Sequence, residues 1–161
     1  MRKIEEIVVH YSASSFGSAI VFDDWHRNSR NWRMIGYHFV IQNGQPDKDS
    51  YWPLLDGHIE PGRPLNNDPY IDENEQGAHV RFHNRNSVGV CLVGNEQSGF
   101  TDQQMNSLYR LLKHLLYVFG LKVENVKGHF EYSEADTKCP NMDMDNLRVN
   151  LAKRIAKVNY E

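Results

Sequence analysis

The chain has 161 residues, room for one domain with a sizeable core. Its 40% hydrophobic and 24% charged content is that of an ordinary globular protein. A formal net charge of -3, with basic residues scattered along the chain, gives no reason to expect a nucleic acid or an acidic membrane surface as partner.

The opening stretch, MRKIEEIVVHYSAS, starts basic, but Glu5 and Glu6 interrupt the apolar run before it reaches signal-peptide length. No apolar run approaches the roughly 18 residues of a membrane helix. The expectation is a soluble chain made in the cytoplasm without a secretion signal, dependent on another agent to reach any substrate outside. IEEIVVHYS reads as a strand ending at His10. FDDWHRNSRNW has helical spacing, with Asp23 and Asp24 placed early, where they suit a helix N-terminus. IGYHFVIQNG predicts a second strand, with Tyr37, Phe39 and Ile41 on one face, His38 and Val40 on the other, and a turn at Asn43–Gly44.

Residues 45 to 77 hold five of the six prolines and many Asn, Asp and Gly, so a long loop is expected with at most a short strand around GHIEPGR. NSVGVCLVG, nearly continuous in apolar residues, reads as a third strand in the middle of the sheet. FTDQQMNSLYRLLKHLLYVFG is a helix: Thr101 and Gln104 make a capping box, Met105, Leu108, Leu112, Leu115, Leu116 and Phe119 one stripe, and Gly120 the stop. KVENVKGH is an extended run leading to His129, and DNLRVNLAKRIAKV a closing amphipathic helix. Alternating strands and helices give an α/β class, a single domain with a central mixed sheet and helices on its faces.

Loops at strand ends are where such folds place function, and His10 and His129 both fall there. Of the two cysteines, Cys91 lies in an apolar run, where a buried inert thiol is expected; Cys139 lies in a polar loop before Pro140, where burial explains little. Two histidines and a cysteine supply three donors for a catalytic zinc with one position left for water. The same residues also allow a Cys139 nucleophile with His129 as its base. Spacing leaves both chemistries open.

VVHYSAS, WRMIGYHFVIQ, DGHIEPGR, GAHV, NSVGVCLVG and GHFEYSEADTKCP stand in an order that resembles the zinc-dependent N-acetylmuramoyl-L-alanine amidases. That family includes phage lysozyme-like amidases and the peptidoglycan recognition proteins, and the resemblance covers residues 4 to 145, nearly the whole chain. It implies one zinc amidase domain over residues 1–161. Its reaction would be hydrolysis of the amide between N-acetylmuramic acid and L-alanine in peptidoglycan, in a phage or prophage setting; a monomer is the default expectation for the chain. It implies His10, His129 and Cys139 as zinc ligands. It places Tyr37 beside the metal-bound water and the scissile carbonyl, and His79 in the substrate groove. The alternative within the fold is a module that binds peptidoglycan without cutting it. Such relatives typically lose the third ligand, which is present here as Cys139.

Two departures matter. Many relatives carry Lys two positions before the third ligand; here that position is Thr137, and the lysine is next door at Lys138. Since a residue flanking a ligand in an extended loop points away from it, Thr137 is the expected helper of the oxyanion, with Lys138 the other candidate. Residues 45 to 55, absent from compact phage members, add Tyr51 and Trp52 as a surface loop or a groove wall. His38 is expected to be structural, and His26, His58, His83 and His114 carry no assignment.

Overall fold

In the computed structural model, which describes residues 1–158, a two-residue strand β1 (Arg2–Lys3) is followed by β2 (Glu6–Tyr11), the run that ends near His10. Then come α1 (Ala19–Arg30), β3 (Phe39–Asn43), β4 (Asp56–Pro61), β5 (Tyr70–Ile71), β6 (Ser87–Leu92), α2 (Asp102–Phe119), β7 (Val126–Gly128) and α3 (Met144–Val158). Five strands form one mixed sheet in the order β4-β3-β6-β2-β7, with β1 and β5 paired separately. β2 runs parallel to both β6 and β7, β3 parallel to β6, and only β4 is antiparallel. Every residue of central β6 is buried, as its unbroken apolar run requires.

Alternation along the strands sends Val9, Ile41, Val90 and Leu92 to one face, beneath α2 and α3. α2 is held by the Thr101–Gln104 capping box and stops at Gly120, whose φ of 64° completes a left-handed C-cap. Leu108, Leu112, Leu115 and Leu116 are buried along its inner stripe, each worth about 1.5–3 kcal/mol in water exclusion. Leu112→Ala would therefore cost about 2–5 kcal/mol. The other face carries Val40, Cys91 and Val93 against Phe22 of α1 and Ile35. His10, next to Val9 and in register with Cys91, points to this second face.

Two local expectations change. α1 starts at Ala19, with Ser18 as N-cap accepting from the Val21 amide, so Asp23 and Asp24 sit within the helix. Asp23 is used elsewhere: it accepts from Ile35 N at 2.8 Å and pairs with Arg27. Strand β3 begins only at Phe39, so the predicted alternation does not extend back to Tyr37, which packs with Val40 and not with Phe39 and Ile41.

The loop-rich stretch is organised by two buried charged side chains. The Arg63 guanidinium donates to the carbonyls of Ile35 and Gln76, each at 2.6 Å, and Glu75 accepts from the amides of Asn66 and Asp72. No helix among the described residues is long and apolar enough to cross a membrane.

Candidate metal centre

Three separate elements deliver the donors. His10 comes from the C-terminal end of β2, His129 from the first residue after β7, and Cys139 from the loop before α3. Parallel pairing of β2 with β7 brings the two histidines to the same end of adjacent strands, with ring centroids 4.8 Å apart. Glu131 closes the turn after His129 by accepting from Gly128 N, and its carboxylate is held in turn by Arg148 of α3. Cys139 is fixed from both sides: its carbonyl accepts from Phe130 N at 2.8 Å, and its amide donates to Thr137 Oγ1 at 3.1 Å. The Tyr11 amide donates to its sulfur.

The three donor atoms lie within 4.8 Å of one another, and Cys139 Sγ stands 3.7 Å from His10 Nδ1. Burial holds the pKa of both histidines down, more so for His10, which also faces His79 and His129. Both are therefore neutral imidazoles with a lone pair to give. Burial pushes the Cys139 thiol up to about 12 against the opposing pull of the Tyr11 amide. A cysteine nucleophile needs the opposite shift. The donor set, two neutral imidazoles and a thiol whose proton a bound cation would displace, instead fits zinc.

Around the donors, Tyr37 lies with its ring centroid 5.2 Å from that of His10 and packs against the buried cluster that holds Cys91. Burial first, and then the two thiols of Cys91 and Cys139, raise its pKa well above the usual phenol value, so it keeps its proton. Cys91 is fully buried, as the apolar run implied, but it is the floor beneath Tyr37 and not a remote core residue. Thr137 lines a cavity of about 240 Å³ with Arg81, His129 and Tyr132. Lys138 points elsewhere: its amine pairs at 3.0 Å with Glu96 on the exposed surface.

The resemblance implied a place in the substrate groove for His79. It is buried behind His10, with His79 Nδ1 2.9 Å from His10 Nε2. Its ring stands in the layer that supports the donors. His38 is buried beside it, accepting from Gly89 N at Nδ1 and donating from Nε2 to the Glu75 carbonyl. His26 accepts from Gly36 N and ties α1 to the following loop.

Phe82, three positions after His79 and unmarked by any local pattern, is 71% exposed with φ 72°, a conformation unusual for a bulky residue. Tyr51 and Trp52, 60% and 61% exposed, emerge between β3 and β4 at the same end of the sheet as His10. Larger concavities run along the outer surfaces of α2 and α3, on the opposite side of the sheet from the donors.

A family model described as N-acetylmuramoyl-L-alanine amidase matches residues 1–142. The endolysin of Escherichia phage T7 is 32% identical over 149 residues, 87% of this chain and 82% of that protein. The endolysin of Enterobacteria phage K11 is 30% identical over 152 residues, 89% of this chain and 84% of that protein. Among solved structures, N-acetylmuramoyl-L-alanine amidase LysC from Clostridium intestinale URNW superposes with a TM-score of 0.71 at 26% identity, covering 94% of this chain and 87% of its own. Drosophila PGRP-LB shares the fold, with a TM-score of 0.62 at 22% identity over 87% of this chain and 76% of its own.

Proposed function

The chain belongs to the N-acetylmuramoyl-L-alanine amidase family, and from that premise we propose that it is a zinc-dependent peptidoglycan amidase with His10, His129 and Cys139 as its metal ligands. The reaction is hydrolysis of the amide joining the lactyl group of N-acetylmuramic acid to L-alanine. The observation that carries the reading is the convergence of one thiol and two neutral imidazoles from three elements within 4.8 Å.

Zinc held there would lower the pKa of a water toward about 7 and polarise the scissile carbonyl. The protein's own groups supply the rest. Tyr37, protonated across neutral pH, donates its hydroxyl proton in a hydrogen bond to the oxygen that gains charge as the carbonyl becomes tetrahedral. Thr137 has its oxygen lone pair engaged by the Cys139 amide and its hydroxyl proton free for the same oxygen. Lys138, paired with Glu96, lies outside this set. The departing amine takes its proton from the attacking water, directly or through solvent. Tyr51 and Trp52 form a wall for glycan or stem peptide at the same end of the sheet.

The alternative, a module that binds peptidoglycan without turnover, is disfavoured by the presence of all three donors. As in relatives named endolysins, we take the biological role to be attack on the cell wall after synthesis in the cytoplasm, by a monomer acting on muramyl peptide. The test is digestion of purified peptidoglycan with metal-free and zinc-loaded protein. Free peptides beginning at L-alanine, formed only with metal, support the reading; binding without release of peptide refutes it.

A further inference from the structure

Behind the donors the hydrogen bonds form a directed chain whose polarity can be read. Ser87 Oγ lies 2.7 Å from the His83 carbonyl, which takes the hydroxyl's single proton. The same oxygen lies 3.4 Å from His79 Nε2, and with its proton spent it can only accept there. His79 Nε2 therefore carries the proton, and His79 Nδ1 carries a lone pair. That lone pair faces His10 Nε2 at 2.9 Å, so His10 donates from Nε2. The remaining nitrogen, His10 Nδ1, is left bare, and it is the one facing Cys139 Sγ.

The position of His79 is built, not incidental. Its amide and that of Val80 both donate to Asn84 Oδ1, at 2.8 and 2.9 Å. Its ring occupies space that only glycines leave open: a Cβ on Gly89 would come within 2.7 Å of the ring, and one on Gly77 within 2.6 Å. Gly89 sits inside a buried central strand, where glycine otherwise weakens the sheet, and a close approach of this kind explains it.

We propose that His79 is a positioning residue that fixes the tautomer and ring orientation of His10, presenting Nδ1 as the metal donor. The inference rests on the zinc reading above and deepens it: the anchor is a neutral histidine relayed through Ser87 to a backbone carbonyl, where a carboxylate would also serve. Asparagine at 79 can return an acceptor near the position of Nδ1; leucine fills the volume without one.

Two measurements test it. Two-bond proton–nitrogen correlation spectra of the metal-free wild-type protein report which nitrogen of His10 bears the proton. Competition against a chromophoric chelator gives zinc affinity for wild type, His79→Leu and His79→Asn, each checked for folding by circular dichroism. The expected results are His10 in its Nε2–H form and zinc binding about 10- to 100-fold weaker in His79→Leu. His79→Asn should stay closer to wild type. His10 protonated at Nδ1 in the wild type overturns the proposal, as does His79→Leu binding zinc as tightly as the parent. If His79→Leu does not fold, the wild-type tautomer decides alone. Wild-type protein that binds no zinc sinks the metal reading, and the spectrum still judges His79.

Discussion

Tyr37→Phe separates catalysis from folding at the centre of this site. The substitution removes one oxygen and keeps the ring that packs against His10 and the Val40–Cys91 cluster. The hydroxyl's neighbour in its buried cluster is the Cys91 thiol, a weak hydrogen-bonding group, so its loss strands no strong polar partner. The stability change should be small, about 0.5 kcal/mol, at the low end for a hydrogen bond. The activity change should be large. A donor aimed at the developing oxyanion is worth about 10²–10³ in kcat, or about 2.7–4 kcal/mol of transition-state stabilisation. Initial rates of amino-group release from purified peptidoglycan, with zinc content and urea midpoint measured on the same preparation, give both numbers. A Phe variant with full turnover and full zinc removes Tyr37 from the mechanism. A urea midpoint that falls in step with activity makes the hydroxyl structural.

Thr137→Ala should lower kcat with zinc retained, whereas Lys138→Ala, which disturbs only the exposed pair with Glu96, should leave turnover near wild type. The reverse pattern in steady-state kinetics would hand the oxyanion role to the lysine. Cys139→Ser should weaken zinc binding by at least about tenfold in a chelator competition, since thiolate is the softer and stronger donor; Cys91→Ser should leave zinc stoichiometry unchanged. Burial holds both His26 and His38 at about 4, below the ordinary value of 6.5. The unfolded chain therefore binds more protons between those values, and this part of the stability is complete above pH 6.5 and lost as the pH falls toward 4. Urea midpoints of the metal-free protein should drop across that window and stay flat just above it; a midpoint that rises on acidification would contradict the assignment of neutral, buried imidazoles.

Where the chain carried local rules, sequence and structure agree. α2 was legible because capping and a leucine stripe are set within one helix by neighbours three and four positions apart. The buried centre of the sheet was legible in β6, whose apolar run leaves no polar face. The donor triad could be approached because His10 and His129 close extended runs and Cys139 lies in a polar loop where burial explains little, although their convergence depends on the parallel β2–β7 pairing and on the loop's return to Tyr11, which no local pattern states. Tyr37 was assigned to the wrong face because β3 starts two residues later than its apolar pattern, and period-two reasoning fails outside the ladder. The place of His79 was not legible at all. It depends on a contact with His10 across 69 positions and on two glycines whose missing side chains matter only in three dimensions. The long loop likewise gave no sign that Arg63 would be buried and satisfied by backbone carbonyls.

Metal-dependent amide cleavage at one defined site is what distinguishes this protein's proposed chemistry from simple binding. Peptidoglycan digested by the zinc-loaded protein, by the chelated protein and by the His129→Ala variant, followed by mass spectrometry of the soluble products, tests it in one measurement. The zinc-loaded protein should yield intact glycan strands and free peptides with L-alanine at their amino terminus, and the other two should release nothing. Equal release after chelation, or products carrying a broken glycosidic bond, would contradict it.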